Sequence, residues 1–191
     1  MERPILFSSP MVKAILDGRK TQTRRIVKLD PPGDESRHDV NMENGKLWPM
    51  WDETGQPMNC PYGAPGDHLW VRESFHIRPC REEYPCLDCQ DCRDGRRFKA
   101  DYPLSPDTYK WRPSIHMPRW ASRLTLLVKS VRVERLQDIS EEDALAEGVP
   151  TQTSSYRRQF AYLWDSINGD TGPNSWIGNP WVWVIEFEVV K

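Results

Sequence analysis

The segment GRKTQTRR at residues 18–25 combines residue types that bind anions with residue types that perform nucleophilic chemistry. Arginine offers a planar fork for a phosphate or a base edge, and lysine offers a point charge. A desolvated lysine also loses its proton more readily and can then take one from a threonine hydroxyl. The alternative is a solvated edge strand whose charges discourage aggregation. The candidate residues in this segment are Arg19, Lys20, Thr23, Arg24 and Arg25.

Lys20 and Thr23 raise a geometric question. Side chains three residues apart point to opposite faces of an ideal strand. The two groups therefore converge only if Lys20 sits in the preceding turn or if a bulge intervenes.

A second basic segment, WRPSIHMPRWASR at residues 111–123, interleaves aromatic rings with arginines. This pattern suits base stacking and phosphate contact, and a histidine titrates near neutral pH. The alternative is a loop that pins Trp111 and Trp120 into the core. The alternative is favoured for the tryptophans, and both interpretations stay open for the arginines. With one arginine of an earlier strand, the candidate nucleotide or RNA contacts are Arg72, Arg112, Ser114, His116 and Arg119.

Four cysteines, Cys80, Cys86, Cys89 and Cys92, lie close together in a polar stretch. Thiolates at short spacing form tetrahedral zinc sites, and a small polar insertion gains stability from such a metal. The spacing differs from a standard zinc ribbon, and an iron–sulfur cluster fits it less well. One structural zinc ion and reduced, unligated thiols both remain open. Cys60 lies apart.

Glu147 stands out in the predicted helix ISEEDALAEG. Acids in the first turn of a helix are favoured by its dipole, and Ser140 and Asp143 suit a capping box. Glu147 instead falls in the last turn, where the dipole disfavours a carboxylate. A residue that breaks a local rule is a weak indicator of function.

The remaining pattern predicts short elements around one sheet. We expect helices at residues 8–18, 139–148 and 156–169, and strands at 20–27, 65–73 and 179–190, with one strand or a bent pair at 124–136. The 156–169 helix should bury Tyr156, Phe160, Leu163, Trp164 and Ile167. Polar stretches at about 27–64 and 74–110 predict two insertions in a single domain spanning 1–191. The fold class is α+β and rich in β-structure, with a small twisted or closed sheet and helices outside it.

Composition limits the partners. The net charge is −2 and the pI about 6.1, so nucleic-acid contact requires a local basic patch. The sequence shows no secretory signal and no apolar run of membrane-spanning length, which predicts a soluble, cytoplasmic protein without membrane contact. An odd count of 5 cysteines favours a reducing compartment.

Several motifs together resemble the ASCH domain family of the PUA-like superfamily. These are the first helix, GRKTQTRR, PGDHLWVRE, ISEEDALAEG and the terminal WVWVIEFEVV. The chain is similar in particular to long bacteriophage and prophage members, and the two insertions lie outside the resemblance. The resemblance implies a PUA-type β-barrel with peripheral short helices and a basic cleft that recognises RNA or a modified nucleotide. It implies no organic cofactor.

One branch of small ASCH proteins is similar in these motifs and hydrolyses the acetyl amide of acetylated cytidine. The resemblance then implies that Lys20 accepts a proton, Thr23 is the nucleophile and Glu147 donates a proton. The greater length, the cysteine cluster and the 111–123 segment depart from that branch. Recognition of RNA or a modified nucleotide is thus the first hypothesis, and an amidohydrolase acting on an acylated nucleoside is the alternative. A protein-interaction role in phage biology is the third.

Overall fold

The computed structural model of this chain describes residues 1–28, 41–43, 46–48, 60–77, 95–102, 110–150 and 155–190. These residues form nine strands and three α-helices, besides short 3-10 turns. The helices are α1 (Ser9–Leu16), α2 (Glu141–Ala146) and α3 (Tyr156–Asn168). The strands are β1 (Glu2–Leu6), β2 (Gln22–Ile26), β3 (Asn41–Glu43), β4 (Lys46–Trp48), β5 (His68–Arg72), β6 (Phe75–Ile77), β7 (Arg96–Phe98), β8 (Thr125–Arg135) and β9 (Trp181–Val190).

Five strands form the main sheet in the order β1-β5-β8-β9-β2. β1 runs parallel to β5, and every other neighbouring pair is antiparallel. The hairpins β3–β4 and β6–β7 lie within the two predicted insertions. The fold is therefore mixed, with a β-rich sheet and few short helices, as predicted. No closed barrel is present among the described residues.

The two edge strands nevertheless approach each other at one point. The Arg25 guanidinium on β2 donates a hydrogen bond of 2.6 Å to the carbonyl oxygen of Leu6 at the end of β1. The described residues contain no backbone ladder between β1 and β2. The sheet is thus curved enough for a side chain, though not a backbone ladder, to join its edges.

The sheet buries apolar side chains on both faces. On one face Trp183, Ile185 and Phe187 of β9 join the largest core cluster. On the other face Val182 and Val184 pack with residues of α2 and α3. The strand was predicted at 179–190, but its pattern did not indicate that helices cover its second face.

The residue predictions for α3 hold in part. Phe160 and Trp164 are buried against the sheet, as expected from their helical spacing. Ile167 is 61% exposed, so its assignment to the buried side was wrong. Ile167 is exposed because it lies in the last turn of the helix, where it lines a cavity.

A smaller apolar cluster supports the aromatic and basic segment. Phe75, Ile77 and Phe98 of the β6–β7 hairpin pack with Met117 and Ala121, and Trp120 lies against them half-buried. The alternative interpretation of Trp120, a ring that anchors its loop, describes this arrangement. None of the helices in the described residues has the length and hydrophobicity that crossing a membrane requires.

Candidate functional site

A small cavity lies between β2, the end of α2, one face of α3 and the segment after β1. Its volume is about 100 Å³. Polar groups of β2 and α2 form one side, and apolar side chains of α1 and α3 form the other. The lining residues are Phe7, Met11, Lys20, Thr23, Arg24, Arg25, Ile26, Glu147, Phe160, Leu163, Trp164, Ile167 and Asn168. The three residues with an implied catalytic role therefore share one cavity.

Lys20 sits in the turn between α1 and β2, which is the condition that its convergence with Thr23 requires. α1 ends at Leu16, and Gly18 adopts a left-handed conformation with φ of 72°. β2 begins at Gln22, two residues after Lys20. Lys20 is therefore outside the strand, and its side chain reaches the face that Thr23 occupies.

The Lys20 ammonium group is buried and fully hydrogen-bonded. Its Nζ donates to Oε2 of Glu147 at 2.7 Å, to the Glu147 carbonyl oxygen at 2.8 Å and to the Gln22 carbonyl oxygen at 2.8 Å. Burial lowers the pKa of Lys20, and the adjacent Glu147 carboxylate opposes that shift. Burial has the larger effect, so the neutral amine of Lys20 is easier to reach here than in water.

Thr23 lies in the middle of β2 and is 2% exposed. Among the described residues none forms a hydrogen bond with its hydroxyl. A hydroxyl normally pairs when it is buried, because an unmet donor or acceptor is costly. Thr23 lines the cavity, and its hydroxyl keeps its bonding capacity free for a ligand.

Glu147 caps the C-terminal end of α2 and joins the two sides of the polar wall. Its Oε1 accepts from Nη1 of Arg24 at 3.2 Å, while its Oε2 accepts from Lys20. The next residue, Gly148, has φ of 84°. A Cβ atom there would lie 2.9 Å from Cβ of Lys20 and 3.0 Å from Cβ of Ala14. Glycine at this position thus allows α2 to approach Lys20 closely.

Arg24 is embedded among carboxylates and its side chain is fully buried. It contacts Glu134 through Nε at 3.1 Å, Asp143 through Nη2 at 2.9 Å, and Glu147. Arg132 extends this network, because it bonds Glu134, Asp143 and Glu186. Arg24 is thereby engaged in holding Glu147, which makes it a positioning residue rather than a free ligand for a phosphate.

Arg25 and Arg19 border the cavity differently. The Arg25 guanidinium is half-buried, stacks 5.1 Å from the centre of the Phe7 ring and bonds the Leu6 carbonyl. Arg19 pairs with Asp17 and lines a neighbouring cavity of about 410 Å³. Met11 and Leu163 line both cavities. Of the two arginines, Arg25 is the one that a ligand in the smaller cavity would meet.

The other predicted nucleotide contacts lie away from this cavity. Arg72 is on the outer face of β5, and its Nη2 bonds the carbonyl oxygen of Ile115. Ser114 and His116 belong to the 3-10 turn Ser114–His116. Arg119 forms a two-bond pair with Glu2 at 2.9 and 3.1 Å. The structure therefore divides the predicted ligand set into a cavity group and a group on the outer face of β5.

The apolar wall of the cavity was not predicted as part of a site. Phe160, Leu163 and Trp164 were expected on the buried side of α3, but helical spacing says nothing about what they face. Phe7 and Met11 carried no sequence signal for a site. Their contribution depends on the packing of α1 and α3 across β2.

The predicted zinc ligands Cys80, Cys86, Cys89 and Cys92 lie outside the described residues, so the zinc site stays a prediction. Cys60 is half-buried beside the main core, and burial raises the pKa of its thiol. In the part of the chain that the structure describes, no group of three or more His, Cys, Asp or Glu side chains is arranged to hold a metal ion.

Comparisons with protein-family models, with curated proteins and with solved structures found no match to this chain.

Proposed function

We propose that the cavity binds the modified base of a nucleoside or of an RNA, and that the protein is a PUA-like module of the ASCH type. The support is a cavity with polar groups on one wall and aromatic and aliphatic side chains on the other. Such a cavity suits a flat, partly polar group. At about 100 Å³ it is smaller than the 300–1,000 Å³ typical of pockets for whole drug-sized ligands. It therefore takes the substituted edge of a base and leaves the sugar outside.

One observation favours hydrolysis over binding alone: Thr23, whose hydroxyl is free, lines the same cavity as the buried Lys20–Glu147 pair. The pair can share one proton in two ways. When the proton moves along the 2.7 Å bond from Nζ to Oε2, the result is a neutral lysine and a protonated glutamic acid. These are the base and the acid that amide cleavage needs.

The proposed reaction follows from these groups. Neutral Lys20 takes the Thr23 proton, and the Thr23 oxygen forms a bond to the acyl carbon of the substrate. The bond from that carbon to the base nitrogen then breaks, and Glu147 gives its proton to the leaving nitrogen. Water hydrolyses the acyl–threonine ester and releases the free acid. Because Nζ already bonds three oxygens, Lys20 reaches Thr23 only after releasing one of them.

Arg24 supports this chemistry indirectly. By binding Oε1 of Glu147 it leaves Oε2 directed at Lys20. Its other bonds, to Glu134 and Asp143, fix the guanidinium in place. The acid is thus oriented before a substrate arrives, which is how a preorganised site avoids rearranging during reaction.

The test is a chromatographic assay with acetylated cytidine, in which free cytidine is the product. Wild type should release cytidine, and Thr23→Val, which keeps the shape and removes the hydroxyl, should not. Thr21→Val is the matched control, because Thr21 is exposed and two residues away. Thr23→Val protein that retains full turnover would rule out the threonine nucleophile. If wild type binds acetylated cytidine without product, recognition alone is the function.

A further inference from the structure

The outer face of β5 carries a basic and aromatic surface that the reaction above does not use. We define the β5 surface by five residues: Trp70, Arg72, Arg112, Ile115 and Arg119. Two guanidinium groups lie near the Trp70 ring, with Arg72 at 5.4 Å and Arg119 at 6.0 Å from the ring centre. Arginine and tryptophan in contact are the groups on which single-stranded nucleic acids stack.

The segments that form and support the β5 surface are basic, although the net charge of the chain is −2. In residues 95–102 and 110–123 lysines and arginines outnumber acids by seven to one. The basic residues are Arg96, Arg97, Lys99, Lys110, Arg112, Arg119 and Arg123, and the acid is Asp101. Arg123 pairs with that acid and Arg119 pairs with Glu2.

Arg112 and Arg72 are the cations of the β5 surface that have no carboxylate partner in the described parts of the chain. The Arg112 side chain is exposed, and its backbone pairs with Phe75, three residues after Arg72. The Arg72 Nη2 bonds a carbonyl oxygen, and its Nε is buried without a partner. Both cations are thus held near each other by backbone pairing and retain capacity for an anion.

A chain of contacts links the β5 surface to the cavity. Arg25 lines the cavity and bonds the carbonyl oxygen of Leu6. Leu6 is the register partner of Arg72 in the β1–β5 ladder. Arg72 in turn bonds Ile115, which is 57% exposed. One chain of contacts therefore runs from the cavity, across the end of β1, to the 112–119 segment.

We infer that single-stranded RNA binds along the β5 surface, with the nucleotide that carries the modification entering the cavity. Arg72 and Arg112 contact phosphates, and the Trp70 face with its two arginines supports a neighbouring base. A free nucleoside carries no phosphate for Arg72 and Arg112, so the β5 surface distinguishes a polymer substrate from a monomer. The inference rests on the proposed function for the identity of the group in the cavity.

The experiment measures the fluorescence anisotropy of a labelled single-stranded RNA about 12 nucleotides long, a length within the site sizes of single-strand binders. The test protein is the double variant Arg72→Ala/Arg112→Ala. The matched control is Lys129→Ala/Arg158→Ala, which removes two exposed cations outside the β5 surface. We expect the test variant to lose at least about tenfold in affinity. Its slope of log affinity against log salt should shrink by about 1.4, at about 0.7 per phosphate contact.

Arg112→Glu is the second variant, because the Arg112 side chain is exposed and has no carboxylate partner among the described residues, so the fold does not depend on it. It should weaken RNA binding while the thermal midpoint stays unchanged. Equal RNA affinity in wild type, Arg112→Glu and the double variant overturns the inference. Equal losses in the test and control variants overturn it too, since the loss then reflects net charge. Tighter binding of single-stranded DNA or duplex RNA of the same length also contradicts it.

Binding of acetylated cytidine by calorimetry separates this inference from the proposed function. If the nucleoside binds equally to wild type and to the double variant while RNA binding falls, both stand. If RNA binding depends on Arg72 and Arg112 but no protein binds the nucleoside, the β5 surface stands and the proposed function fails. If the nucleoside binds and RNA affinity is indifferent to both arginines, the proposed function stands and the inference fails.

Discussion

Two charge clusters in this protein look alike in composition and differ in what surrounds them. The first is the Lys20–Arg24–Glu147 group, which borders a cavity. The second is the Glu73–Arg123–Asp101 group, in which Arg123 bonds Glu73 at 2.9 and 3.1 Å and Asp101 at 2.7 and 3.0 Å. Each cluster joins acids and bases from distant parts of the chain.

The two clusters differ in whether a side chain with free hydrogen-bonding capacity lies beside the ion pairs. In the second cluster the Arg123 guanidinium uses two bonds for each carboxylate and stacks 4.1 Å from the centre of the Phe98 ring. It ties β5 to the segment after β7 and leaves no free reactive group. In the first cluster an unpaired hydroxyl, Thr23, stands beside the ion pair. A buried ion pair alone therefore marks a structural link, and the open hydroxyl beside a cavity marks a candidate site.

The largest expected effect contrasts the two glutamates. Glu147→Gln removes the proposed proton donor and should lower cytidine release from acetylated cytidine by at least about 100-fold. Glu73→Gln should leave turnover within about threefold of wild type, because Glu73 contacts no cavity residue and acts through stability alone. Chromatography of the product measures both. Similar losses in the two variants would show that activity follows stability, which would remove the basis for the contrast.

The next effect contrasts the two arginines. Arg24→Met removes the buried cation that Glu134, Asp143 and Glu147 share and should lower the free energy of unfolding by about 3–5 kcal/mol. Arg123→Met should lower it by about 1–3 kcal/mol, because Arg123 is partly exposed and Glu73 can take up a proton. Urea titrations of both variants provide the comparison. A larger loss for Arg123→Met would reverse the ranking of the clusters.

A smaller effect tests the close approach at Gly148. Gly148→Ala introduces a Cβ in a left-handed conformation and against Lys20, and should cost about 2–4 kcal/mol. Gly172→Ala is the matched control, because Gly172 has φ of 88° and open space around it. It carries the conformational strain alone and should cost about 1 kcal/mol. Equal thermal midpoints for the two variants would mean that α2 moves away from Lys20 at no cost in stability.

The smallest effect concerns pH. Burial raises the pKa of the Glu73 carboxyl, although its bonds to Arg123 act in the opposite direction. The folded state therefore binds more protons than the unfolded state just above the ordinary pKa of 4.5, and stability falls as pH rises through that window. Glu73→Gln should flatten this slope in urea titrations between about pH 4 and 7. An unchanged slope would show that the Arg123 bonds outweigh burial.

The local sequence pattern was sufficient to predict most of the helices and strands. Ser140 accepts a hydrogen bond from the backbone N–H of Asp143, as the predicted N-cap required, while the Asp143 carboxylate bonds Arg24 and Arg132. β1 was not predicted, because its five residues include two charged side chains, Glu2 and Arg3, and Pro4 normally argues against a strand. It is accommodated because β1 is an edge strand, where a missing N–H disturbs no further ladder.

Less of the candidate site could be predicted from the sequence. The resemblance and the unusual position of Glu147 singled out the three proposed catalytic residues. The role of Arg24 could not be predicted, since its partners Glu134, Asp143 and Glu147 lie more than 100 residues away along the chain. Long-range pairing of this kind leaves no local periodicity. The division between the cavity and the β5 surface likewise depends on tertiary packing.

The position of β2 in the sheet has a consequence for biosynthesis. β2 is the edge strand next to β9, and β9 spans Trp181–Val190. During synthesis on the ribosome, β2 leaves the exit tunnel long before the strand that completes its hydrogen bonds exists. The amide groups of β2 must stay solvated or be shielded by a chaperone throughout that interval. The sequence of β2, QTRRI, contains two arginines. These charges keep the unpaired strand hydrophilic and lower the tendency of the nascent chain to aggregate.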